Sequence, residues 1–98
     1  MADNLATFET GSTAVTAAGT AEQLDSYRIP NELTVLLAAK ASNTGYIYVG
    51  ESKAKAEAHH IELGPGGMVE LNVDNVHDVW VDSSVNGEAV GWIVETPS

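Results

Sequence analysis

The chain has 98 residues, fourteen Asp and Glu against four Lys and Arg, a net charge of −10, and no cysteine. One domain is the default at this length, and disulfides and cysteine-ligated zinc are excluded as its supports. The charge argues against nucleic acid, which is bound through clustered Lys and Arg, and against an anionic membrane surface. Charged residues make up 18 %, against about 25 % in ordinary domains. Ala, Thr, Ser and Asn fill the difference, as expected of a surface partly buried against neighbours. No run approaches the ~18 apolar residues of a membrane-spanning helix. MADNLATFETG has neither the basic start nor the apolar run of a signal peptide. The expectation is a protein used without Sec export, which still permits it to leave a cell on a larger particle.

In chain order, the N-terminal third predicts short strands over Ala6 to Glu9, Thr13 to Ala17 and Thr20 to Leu24, separated by Gly11 and Gly19. Ile29-Pro30-Asn31 reads as a turn, because proline cannot donate within a central strand. ELTVLLAAK then alternates, with Leu33, Val35, Leu37 and Ala39 on one face. Ser42 to Gly45 turns the chain into GYIYVG, whose Ile47 and Val49 oppose Tyr46 and Tyr48. ESKAKAEAHH carries two favourable pairs, Glu51 with Lys55 and Lys53 with Glu57. It has no apolar stripe and reads as a surface loop with one helical turn. ELGPGGMVEL places Gly64-Pro65-Gly66-Gly67 between strands, and MVELNVD is the cleanest alternation in the chain. VHDVWVD and EAVGWIVE follow as strands joined across an Asn-Gly turn. About eight short strands at this spacing predict an all-β domain, a β-sandwich or small barrel. Residues 1–98 form one unit, with 1–4 and 96–98 as loose termini.

Each potential site has a simpler alternative. A phosphate-binding loop needs Lys-Ser/Thr after its glycines and then a helix; here Met68-Val69-Glu70 opens a strand, so a tight turn is expected at Gly64–Gly67. His59 and His60 are adjacent and point apart in extended chain, His77 is distant, and no His-x-His pair occurs. They read as solvated, and no metal or other cofactor is expected. Asp74, Asp78 and Asp82 share one face in a strand, predicting a solvated acidic face beside Trp80. No Gly-x-Ser-x-Gly elbow and no cysteine nucleophile is present, so no catalytic residue is expected and the chain reads as a non-enzyme. Tyr46 and Tyr48, on one strand face, suit either a sandwich surface or a contact with a sugar ring or protein. The candidate contact residues are Tyr46, Tyr48, Trp80, Pro65 and Gly66.

GTAEQL, IPNELTVLLAAKASNTGYIYVGES and IELGPGGMVELNVDNVHDVWVDSSVNGEAVGWIVE, with their spacing, resemble a small virion-associated protein type of tailed bacterial and archaeal viruses. The shared pattern is GTA-x-QL, an apolar strand, NTG-x-IYVG, L-x-PGE-x-V-x-L, N-x-x-x-V-x-V-D and a closing G-x-x-V strand, over roughly residues 12 to 95. Gly67 departs from it, standing where the pattern has Glu, and the Ala- and Lys-rich loop from Glu51 to His60 is also unlike it. The resemblance implies an antiparallel, jelly-roll-like β-sandwich. It implies a non-enzymatic capsid decoration, turret, spike-base or head-tail protein, assembled in the host cytoplasm and located in the virion. Its expected partners are the major capsid protein or other virion proteins and its own copies, as a trimer or pentamer. The alternative is a carbohydrate-binding β-sandwich module on a viral appendage, resting on Tyr46, Tyr48, Trp80 and Trp92.

Overall fold

The computed structural model describes residues 7–30 and 32–96. The expectations for Ala6, Asn31 and termini 1–4 and 97–98 lie outside those residues. Eight strands form: β1 (Thr7–Val15), β2 (Glu22–Gln23), β3 (Val35–Ala39), β4 (Ile47–Gly50), β5 (Glu62–Leu63), β6 (Met68–Leu71), β7 (Trp80–Ser83) and β8 (Glu88–Thr96). One helix, α1 (Lys53–Glu57), lies between β4 and β5.

The strands make two antiparallel four-stranded sheets, β1-β8-β3-β6 and β2-β7-β4-β5. Strand 1 pairs with 8, 2 with 7, 3 with 6 and 4 with 5. That is the pairing of one long hairpin folded over on itself. The contacts β3·β8 and β4·β7 then complete the two sheets. The chain is a jelly-roll sandwich.

The alternation read in the sequence drives this packing. Val35, Leu37, Ala39, Val90, Trp92 and Val94 bury the inner face of the first sheet. Ile47, Val49, Leu63, Val79 and Val81 bury the inner face of the second. Each fully buried Val or Leu stabilises the fold by about 1.5–3 kcal/mol against leaving it exposed. The Tyr27 ring closes over Trp92, with ring centroids 5.7 Å apart.

Three expectations are corrected. The two strands expected on either side of Gly11 are one, β1, which runs through it from Thr7 to Val15. Gly11 is needed there because the Trp92 indole packs against the backbone, and a Cβ would lie 2.6 Å from the ring. Thr96, expected in a loose terminus, is the last residue of β8 and pairs with Thr7. Val76–Asp78 is a 3-10 turn rather than strand. Asn75 caps it by accepting from His77 N, while the Asp78 side chain accepts from Asn75 N.

Candidate contact surfaces

The Gly64-Pro65-Gly66-Gly67 segment is a tight turn. Gly67 N donates to Gly64 O over 2.8 Å, Pro65 holds the first corner, and Gly66 has φ +80° at the second. This is the arrangement of a type II turn, which needs positive φ at that corner. The turn carries the chain from β5 in one sheet to β6 in the other. It is tied to the end of β3 through Gly66 N to Ala39 O and Ala39 N to Gly67 O. Pro65 and Gly66 are exposed, and Tyr46, 47 % exposed, lies against Gly64. Three of the five expected contact residues therefore meet at one end of the sandwich.

The other two do not join them. Tyr48 is buried on the outer face of the second sheet, and Trp80 lies half-buried further along, in register with Gly50. The Tyr46 and Tyr48 rings are 6.5 Å apart and tilted by 38°, so they form no coplanar platform.

Tyr48 is buried because the loop expected to be a solvated surface segment folds back over this face. Ser52 caps α1 by accepting from Lys55 N, and Lys53 pairs with Glu57 at 2.9 Å. The helix lies on Gly50, where a Cβ would collide with the backbone nitrogen of Ala56. Ala56 is fully buried there. The helix ends on His59 at φ +60°, a left-handed position more often filled by glycine. That turn lays the imidazole flat on Tyr48, with centroids 3.6 Å apart and planes within 14°. It also brings Nε2 to 2.8 Å from Asp82 Oδ2.

Asp82 overturns the expectation of a solvated acidic face. It is 0 % exposed. Its Oδ1 accepts from Gly19 N and from Ser83 N, both over 2.8 Å. Asp78 sits in the 3-10 turn, so Asp74, Asp78 and Asp82 share no strand face. Nor is His59 simply solvated, as expected, since it is the cap on Asp82. Beside it, Glu57 accepts from Ala21 N over 2.9 Å. That donated hydrogen bond, followed by the Lys53 ammonium, holds the Glu57 carboxyl below its ordinary value of 4.5, against partial desolvation and the nearby Asp82. At the far end, Glu88 accepts from Thr44 N and Gly45 N, each over 2.7 Å. The Thr44 N–H bond comes first among the causes that lower its carboxyl too.

The alternation in VHDVWVD places Asp82 on the correct face of its strand. What it cannot show is that a helix covers that face. The available signals were Gly50 at the end of a strand and small residues at Ala54, Ala56 and Ala58, which permit close approach.

The outer face of the first sheet differs. Across its strands, Ser12, Gly91, Ala38 and Met68 stand side by side, and next to them Thr10, Ile93, Leu36 and Glu70. Gly91 leaves a shallow depression of about 490 Å³ walled by Leu36, Ala38 and Ile93. Leu36 and Ile93 are half-buried, Met68 is 63 % exposed, and no helix lies over these residues among those described. Nor, among them, do three or more His, Asp or Glu side chains form a group that could hold a metal ion.

The molecule is thus a jelly-roll sandwich and, among the described residues, one outer face is covered and the other bare. No family model, no curated protein and no solved structure matches the chain.

Proposed function

We propose that the chain is a non-enzymatic structural protein of a tailed-virus particle, binding the capsid or its vertices as a symmetric oligomer. The observation that carries this is the bare outer face of the first sheet. Thr10, Ser12, Leu36, Ala38, Gly91 and Ile93 make its centre shallow and uncharged, with Lys40 and Glu70 at its margins, in a chain of net charge −10. Uncharged, half-apolar patches of this kind mark protein contacts. The resemblance noted in the sequence supplies the setting: a decoration, turret or spike-base role, with the major capsid protein as partner and trimers or pentamers as the working unit.

The motif residues of that resemblance support the same reading. Gly19 and Ala21 of GTAEQL donate to Asp82 and Glu57, and Thr44 and Gly45 of NTGYIYVG donate to Glu88. These residues preserve a scaffold, as suits a protein whose work is shape. The carbohydrate-binding alternative has Tyr46 as its exposed ring, with Tyr48 already stacked beneath His59.

Quantitative mass spectrometry of purified particles tests the proposal. The chain should be present in copy numbers set by particle symmetry. Its absence from particles would overturn the reading. Self-association should strengthen with moderate added salt, because screening relieves repulsion between −10 subunits; sedimentation that shows dissociation instead would count against it.

A further inference from the structure

The two sheets do not close on each other along the β5–β6 side. An apolar cleft of about 360 Å³ opens there, lined by Val49, Val69, Leu71, Val73 and Val79. Ile61, 52 % exposed, stands at its mouth, and Gly50, Glu51 and Asp78 complete the lining. A cleft this size falls within the usual range for bound side chains or small ligands.

One wall of the cleft is an unpaired sheet edge. Ala39 N donates to Gly67 O, so Gly67 and, by alternation, Val69 and Leu71 turn their backbone groups toward β3. Met68, Glu70 and Asn72 turn theirs away, and these groups have no backbone partner among the described residues. On the opposite sheet, β5 is two residues long and pairs with Ile47 and Tyr48, with one further backbone bond from Val49 N to Ile61 O. A strand laid along β6 would bond to the free groups and send every second side chain into the cleft.

The charge chooses the occupant. Glu70 lies on the edge itself, accepting from Thr34 Oγ1, and Asp74 follows two residues after Asn72. Glu51 and Asp78 stand at the cleft, with His77 Nε2 3.7 Å from Asp78. A second copy, itself at −10, would meet like charge.

We propose that the β6 edge and its cleft form a strand-accepting site for an extended segment of another protein, alternating apolar side chains with Lys or Arg. The apolar side chains enter the cleft between Leu71 and Val79, and the basic ones face Glu70 and the rim. The proposal holds whether or not the partner is a virion protein.

The full-length protein is titrated with a short extended peptide alternating Lys and Val, and with its Glu-Val counterpart. The Lys-Val peptide should bind at least about tenfold more tightly. In the bound state the amides of Met68, Glu70 and Asn72 should exchange about tenfold more slowly or less. Glu70→Lys with Glu51→Lys, both at exposed positions beside the cleft, should reverse the peptide preference without altering the protein's fluorescence and with little change in melting. Equal affinity for the two peptides, protection on β1 instead of β6, or no binding at millimolar peptide would overturn the proposal. So would self-association of the protein alone that protects the same three amides, because it would assign the edge to a second copy.

Discussion

The two outer faces of this sandwich are built from the same alternation and end differently. On the second sheet, Gly50 lets α1 settle onto the strands, and Asp82, His59 and Glu57 fasten it with buried or shielded hydrogen bonds. On the first sheet, Gly91 leaves a depression that nothing fills among the described residues. A strand glycine thus serves opposite ends on the two faces. One permits a permanent internal contact, and the other leaves room for an external one. The covered face should therefore be sensitive in stability, and the bare face in association.

The largest expected loss is at Asp82. Replacing it with Ala leaves Gly19 N, Ser83 N and the His59 ring without their acceptor, and the Gly19 loop and the α1 segment lose their common anchor. The cost is about 2–4 kcal/mol, because buried donors stranded without partners carry their full desolvation penalty. Urea denaturation should show the loss, with exchange of the α1 amides rising first. Unchanged stability in Asp82→Ala would mean the covered face is held by packing alone. Gly50→Ala follows, at about 1–3 kcal/mol, the usual range for overpacking. It crowds the seat of α1 without removing any of the hydrogen-bonding side chains that fasten it, so it tests the contact apart from the chemistry of the latch.

The contrast between faces also marks how far the sequence could be read. Period-two patterning reveals both sheets, since Val35, Leu37, Val90, Trp92 and Val94 of the first and Ile47, Val49 and Val81 of the second all fall inward as the alternation requires. The turn at Gly64–Gly67 is legible because Pro and Gly have fixed backbone preferences. Gly11 misled, because glycine within a strand looks like a break until the side chain opposite it, Trp92, is known. Asp82 misled for a related reason. A polar residue at an outward position looks solvated, and its burial depends on a helix of five residues that no local pattern announces. Tyr46 and Tyr48 were read alike and differ only because His59 lies over one of them. The cleft beside β6 was not legible either, because it comes from the shortness of β5 and not from any residue type.

Acid should next separate the covered face from the end of the sandwich at Thr44 and Gly45. Glu57 and Glu88 both have carboxyls held below their ordinary value by donated backbone hydrogen bonds. A carboxyl that is more acidic in the folded state contributes stability that is complete above its unfolded value. That contribution disappears as pH falls through the folded value. Thermal melts should thus be flat near neutrality and drop below about pH 4, the ordinary carboxylate range. Glu57→Gln should flatten part of that drop and make the α1 segment less protected even at neutral pH. Glu88→Gln should flatten another part without touching α1. A drop unchanged in both variants would place acid sensitivity elsewhere among the carboxylates.

The smallest effect on stability should come from the bare face, and it is the most informative about function. Ile93→Thr and Leu36→Thr alter half-buried residues that stand outward, away from the core. Thr is β-branched, the shape that strands favour, so melting should move by no more than about 0.5 kcal/mol, as for ordinary surface changes. If this face is the contact surface, the same variants should weaken self-association or particle binding by about tenfold or more, since central apolar residues dominate such contacts. The two readouts must separate. A variant that loses stability and association together would show that the face belongs to the fold. One that loses neither would move the contact to another surface, with the end bearing Tyr46, Pro65 and Gly66 as the next to be altered.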